Sequence, residues 1–237
     1  MPREQPKQAP PPVQRLRVRY AKRGRLRFTS HRDFSRAFER AVFRARLPMA
    51  YSSGFNPHPR ISYAGASPTG SASEAEYLEL ALAEVVDPAA VHAALDEALP
   101  DGLDVVEVVE SAGGGFADLL QASHWQIVLP LPPGEVDAAV AAFLAADEVP
   151  VQRMTKKGLR DFDSRAAVLA LNVAAHDGDT VLDLVLRHLE PAVRPDDVLT
   201  GLTTVGGLEL SGVPLLTRLA QGPLDPDSGE IGDPLRP

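Results

Sequence analysis

The sequence predicts an α+β protein built from two tandem ferredoxin-like (split βαβ) domains, and three observations lead there. With 237 residues, the chain has room for two domains of roughly 100 to 120 residues, each with its own core. Between residues 14 and 111, alternating and helically spaced apolar residues follow one another in the order strand, helix, strand, strand, helix, strand. A comparable order recurs from 124 to 220, after a glycine-containing link at 112–123.

Residues 1–13 (MPREQPKQAPPPV) are rich in Pro and Gln and predict a disordered leader. From Gln14 to Lys22, apolar Leu16, Val18 and Tyr20 alternate with Arg15, Arg17 and Arg19, the period of a half-buried strand with a basic outer face. Arg23-Gly24 reads as a turn, and Leu26 to Phe28 as the return strand of a hairpin. Ser30 is placed to cap a helix, with Asp33 at the capping-box position. Phe34, Ala37, Phe38, Ala41, Val42 and Ala45 then repeat at the spacing of one buried helix face, and Leu47-Pro48 stops it. A Gly/Pro-rich loop follows at 51–60. Short strands are expected at Ile61–Ala64 and Glu76–Ala83, a helix opened by Asp87-Pro88 and running to Leu99, and a strand at Leu103–Val109.

In the second half, strands are expected at 125–131, 149–155, 166–175, 180–189 and 213–219, and helices at 135–146 and 195–203. The tail, 221–237, is rich in Pro, Gly and Asp and predicts disorder.

Charge is distributed very unevenly. The net charge is −8, yet residues 1–60 hold 15 Lys/Arg against 3 Asp/Glu, whereas 61–152 hold 16 Asp/Glu and no Lys or Arg. A polyanion-facing end and an acidic remainder is one reading; neutralisation of the basic segment by acidic strands of its own domain is the other. The chain has no cysteine, which removes disulfides, thiol nucleophiles and cysteine-held zinc or iron–sulfur clusters. No stretch has the length of apolar sequence that a membrane span or a signal peptide requires, so a cytoplasmic protein with no membrane partner is expected.

Four constellations could carry function. On the first helix Arg32, Arg36, Arg40 and Arg44 recur every fourth residue and form one ridge suited to phosphates, to which the strand arginines would add. The loop YSSGFNPHPR is fixed by two prolines and presents Ser52, Gly54, Asn56, His58 and Arg60 as a candidate ligand-binding loop. Lys156 and Lys157 lie in a basic cluster that reads as a hairpin tip, a further phosphate contact. His31 and His58 could serve as a general acid/base pair on a ribose–phosphate. Asp161 and Asp163 alternate as metal ligands do but lack partners at ligand spacing, so neither metal nor cofactor is expected. No phosphate-binding P-loop, dinucleotide fingerprint or nucleophile elbow is present.

The run RLRFTSHRDFSRAFERAVFRARLPMAYSSGFNPHPRIS, then SPTGSASEAEYLEL and TKKGLRDFDSRA, resembles the radical-SAM-linked family, a domain found beside or fused to cobalamin-type radical SAM proteins in bacteria. The resemblance implies an accessory role with a radical SAM enzyme as protein partner. Having no cysteine, this chain would be the partner and not the catalyst. The element order and the Ser-His at the start of the first helix are also similar to the RAMP proteins of CRISPR systems, a likeness of fold. The expectation is thus a non-catalytic accessory protein that binds structured RNA and acts with a radical SAM enzyme in RNA modification or processing. The alternative is a metal-independent endoribonuclease of RAMP type using His31 and His58.

Overall fold

A computed structural model describes residues 8–155, 158–176 and 178–237. It is an α+β structure with four α-helices among the described residues. The chain divides into two compact units, one formed by residues 1–118 with Arg236, the other by 119–235 with Pro237.

In the first unit, β1 (Gln14–Lys22) lies between β4 (Leu103–Glu110) and β3 (Ala72–Leu82), and β2 (Ile61–Ala64) pairs with β3; every pairing is antiparallel. Leu16, Val18 and Tyr20 of β1 enter a core shared with Leu78, Leu80 and Leu82 of β3. Helices α1 (His31–Arg44) and α2 (Pro88–Ala98) contribute Phe34, Phe38, Val91 and Leu95 to the same core. Both helices begin where local chemistry predicts. Ser30 Oγ accepts the Asp33 amide at 3.2 Å, and Asp87 Oδ1 accepts the Ala89 amide at 3.0 Å with Pro88 in the first turn.

Two expectations for this unit are corrected. The return strand expected at Leu26–Phe28 is a 3-10 helix, Gly24–Phe28, closed by Leu26 N–H to Arg23 O at 3.0 Å and Thr29 N–H to Leu26 O at 2.9 Å. Three alternating residues carry too little pattern to hold a strand once Leu26 packs into the core. The arginine face of β1 is also only partly solvated: Arg15 is exposed and Arg19 half-buried, but its centre is covered. Arg17 is fully buried, with its guanidinium 4.5 Å from the Phe116 ring centre and a bond to Gly113 O. Phe116 in turn meets Tyr77 of β3 edge-on. Residues 113–116, read from sequence as link, therefore cover the side of β1 that alternation assigned to water.

In the second unit, β5 (Ala122–Leu129) lies between β10 (Leu215–Gly222) and β9 (Asp179–Arg187), and β8 (Val168–His176) follows β9, all antiparallel. The extra strand in the second half belongs to a separate two-stranded ribbon, β6 (Pro150–Thr155) with β7 (Gly158–Asp163). Helices α3 (Pro133–Ala145) and α4 (Pro195–Gly206) pack closely; a Cβ on Gly206 would lie 2.5 Å from Ala139 Cα. A polar chain ties β5 to the segment after β9. Trp125 Nε1–H donates to Ser123 Oγ at 2.8 Å, Ser123 lies 3.0 Å from His188 Nε2, and His188 Nδ1 donates to Leu120 O at 2.7 Å. This order fixes the neutral Nδ1–H tautomer, and desolvation, with the Arg218 charge nearby, lowers the His188 pKa.

Composition predicts disorder from 221. The described residues there include the end of β10, a bridge between Leu224 and Ile231, and a buried Leu235.

Candidate nucleic-acid interface

Helix α1 turns its Phe34, Phe38, Ala41 and Val42 inward, where Phe34 stacks on Tyr20 with ring centres 4.5 Å apart. Its opposite side carries Arg32, Arg36, Arg40 and Arg44, all exposed, at the spacing expected from sequence. Among the described residues, Arg32, Arg36 and Arg40 have neither an ion pair nor a side-chain hydrogen bond. Arg44 Nη1 donates to Ala98 O at the end of α2, 3.0 Å away, which fixes the guanidinium at that helix terminus.

The strand arginines behave differently. Arg15 Nη1 lies 2.8 Å from Glu79 Oε1, Arg17 Nε 3.6 Å from Glu79 Oε2, and Arg23 pairs with both Glu74 and Asp104. Register explains the first set, since Arg17 stands directly opposite Glu79 across β1 and β3. Neutralisation within the unit is therefore seen for Arg15, Arg17 and Arg23, whereas Arg32, Arg36 and Arg40 of α1 have no carboxylate partner among the described residues. Glu74, Glu76 and Glu79, which belong to the acidic remainder of the charge map, are engaged within the unit: Glu74 and Glu79 hold arginines, and Glu76 is buried and accepts the Ser67 amide at 3.1 Å.

The loop after α1 is a closed projection. Tyr51 bridges to Pro59, Ser52 N–H donates to His58 O at 2.9 Å, and His58 N–H donates to Ser52 Oγ at 3.0 Å. Ser52 and the His58 backbone therefore clasp the base of the loop. Gly54, at φ 127°, Phe55 and Asn56 form the exposed tip. Arg60 is anchored through its backbone to Ala50 and Ala81. His31 sits edge-on to Tyr63, ring centres 5.1 Å apart, and no hydrogen bond or ring contact joins it to His58. Burial pushes the Tyr63 hydroxyl up to about 12.

Two open depressions lie at the C-terminal end of α1. One, of about 710 Å³, is lined by Arg36, Glu39, Arg40, Phe43, Arg44 and Arg46. The other, of about 600 Å³, shares Glu39, Phe43 and Arg46 and adds Val42, Leu47, Met49, Tyr51 and Pro59. Phe43 is 82% exposed between them. Arg46 adopts φ 53°, and the bonds Arg46 N–H to Phe43 O (3.1 Å) and Leu47 N–H to Val42 O (3.2 Å) complete a Schellman-type helix end with arginine at the position where glycine costs least. Sequence reading missed Phe43 and Arg46. The available signal was an aromatic residue off the apolar stripe of α1, set among arginines.

Lys156 and Lys157 lie outside the described residues. Beside them, Asp161 accepts from Gln152 Nε2 at 2.9 Å, and Asp163 accepts the Val149 and Arg165 amides, each at 3.0 Å. Both carboxylates thus brace the ribbon, and no cluster of metal-ligating side chains occurs among the described residues. Among the same residues, no helix is long and apolar enough to cross a membrane.

A search of curated proteins finds no match. Among solved structures the chain is similar to one described as "Crystal Structure of an Unknown Protein from Galdieria sulphuraria", at 15% identity over 86% of this chain and 98% of that one, with a TM-score of 0.25. The family described as "Uncharacterized protein conserved in bacteria (DUF2344)" matches residues 15–195. That span runs from the second residue of β1 through β9 and takes in the whole arginine ridge, and the chain belongs to this bacterial family.

Proposed function

We propose that this chain is a non-catalytic RNA-binding accessory protein of the cytoplasm that acts beside a radical SAM enzyme in RNA modification or processing. One observation carries the RNA part of the reading: among the described residues the guanidiniums of Arg32, Arg36 and Arg40 have no carboxylate partners, while those of Arg15, Arg17 and Arg23 are paired with carboxylates. A fold that neutralises one set of arginines and leaves a row of others at helical spacing presents positive charge to an external polyanion. The radical SAM partner rests on the sequence resemblance and on the lack of cysteine. We also read each unit as a split βαβ, ferredoxin-like domain. The orders β4-β1-β3 with β2 on β3, and β10-β5-β9-β8, support this, with the β6–β7 ribbon as an insertion in the second.

The test is RNA binding by the purified protein across a salt series. Four phosphate contacts predict a slope of log affinity on log salt of about −3. Replacing Arg32, Arg36, Arg40 and Arg44 together with Gln should flatten that slope and abolish binding at moderate salt. Binding that survives the four changes would sink the proposal. The same incubations address the rival endoribonuclease. RNA should be recovered intact in chelator, and cleavage lost in both His31→Ala and His58→Ala would put the nuclease in its place.

A further inference from the structure

We infer that the two depressions flanking Phe43 form one site for an unpaired RNA nucleotide, with the base in the apolar depression, the phosphates on Arg36, Arg40 and Arg44, and Glu39 selecting guanine. This deepens the RNA-binding reading and rests on it. Their linings differ in residue type. The first depression has four guanidiniums in its wall, while in the second Val42, Phe43, Leu47, Met49, Tyr51 and Pro59 outnumber the charged Glu39 and Arg46. A nucleotide has the same division, an anionic backbone and a flat apolar base, and volumes of about 710 and 600 Å³ accommodate it.

Aromatic exposure points to an unpaired base. Phe43 and Tyr51 both border the apolar depression, at 82% and 46% exposure. Water-exposed rings cost free energy unless something covers them, and bases splayed from a single strand or loop stack on such faces. Paired bases in an A-form duplex offer only edges and backbone to a side chain, which would leave these rings uncovered. Guanidiniums around the rings argue for nucleic acid over an apolar protein segment, which would have to desolvate them without neutralisation.

Glu39 supplies selectivity. It lines both depressions and has no ion pair or hydrogen bond among the described residues, although Arg36 lies one turn before it along α1. A carboxylate facing a phosphate path weakens binding unless the base compensates it. Unpaired guanine offers two adjacent donors, N1–H and the N2 amino group, to the two oxygens of one carboxylate; adenine and uracil offer no such pair.

The test compares fluorescence anisotropy of three RNA probes: a short uridine-rich single strand with central guanines, the same strand with adenines, and a blunt duplex. The wild-type protein should prefer the guanine strand. Phe43→Ala, a change at an exposed site, should weaken single-strand binding about tenfold with an unaltered salt slope, and leave the duplex unaffected. Glu39→Gln should erase the guanine preference without lowering affinity for the adenine strand. Equal affinity for single strand and duplex, both indifferent to Phe43→Ala, would overturn the inference. So would a guanine preference that persists in Glu39→Gln, or an acidic peptide that binds in a Phe43-dependent manner and displaces the RNA. If RNA binding needs the four arginines but ignores Phe43 and Glu39, this inference fails and the RNA-binding proposal stands. If no probe binds at low salt, both fail.

Discussion

At the single residue Arg46, stability and the proposed RNA binding make opposite demands. Its backbone is left-handed at φ 53°, a conformation that costs an L-residue about 1 kcal/mol or more and glycine almost nothing. Glycine would also raise the entropy of the unfolded chain, so the net gain of Arg46→Gly is about 0.5 kcal/mol. The guanidinium borders both depressions, so its removal should weaken RNA binding. Arg46→Gly is therefore expected to raise the chemical-denaturation midpoint slightly while lowering RNA affinity several-fold, and Arg46→Asn to preserve stability with the same loss of affinity. An Arg46→Gly protein that is both more stable and undiminished in binding would show that the side chain plays no part in the site.

Elements differ in how much of their placement is local, and that difference separates what was legible in the sequence from what was not. Caps and stripes are local. Ser30 and Asp87 begin α1 and α2, and the arginine ridge stands where its spacing puts it. The surroundings of β1 are set by residues far along the chain. Alternation marks Arg15, Arg17 and Arg19 as one face but carries no record that Phe116 and Gly113 will cover it or that Glu79 will stand opposite. The depressions beside Phe43 are equally non-local, since α1 and the loop through Pro59 build them together. In the second unit, two neighbouring glycines at the end of α4 show the same distinction. Gly207 has φ 65° and nothing near its would-be Cβ, whereas Gly206 would bring a Cβ within 2.5 Å of Ala139 Cα and 3.0 Å of Ala139 O on α3. Backbone atoms cannot turn aside as a side chain can. Gly206→Ala should thus cost about 3 kcal/mol through forced separation of the helices, and Gly207→Ala about 1 kcal/mol through its dihedral alone. Urea unfolding of the two variants checks this, and equal losses would mean that α3 and α4 yield more readily than their spacing implies.

At the scale of the whole molecule, a net charge of −8 would repel RNA if it were evenly spread. It is not. Fifteen cations lie in the first 60 residues; Arg15 and Arg17 of β1 and Arg23 after it are met by Glu79, Glu74 and Asp104, Arg19 and Lys22 donate to the backbone carbonyls of Glu74 and Pro68, and Arg32, Arg36 and Arg40 of α1 have no carboxylate partner among the described residues. The acidic stretch 61–152 spends Glu74, Glu76 and Glu79 inside the first unit and keeps Glu84 and Glu97 exposed. With a Debye length of about 8 Å at physiological salt, exposed carboxylates farther than that from the ridge exert little force on a phosphate there. Binding is then governed by the local row and not by the total. Ultraviolet crosslinking of bound RNA, read out by peptide mass spectrometry, is expected to place adducts between residues 32 and 60, with Phe43, Tyr51 and Phe55 as acceptors, and none between 61 and 152. Adducts concentrated in 61–152 would mean that RNA reaches the acidic segment and that a separation of roles by charge is the wrong principle for this fold.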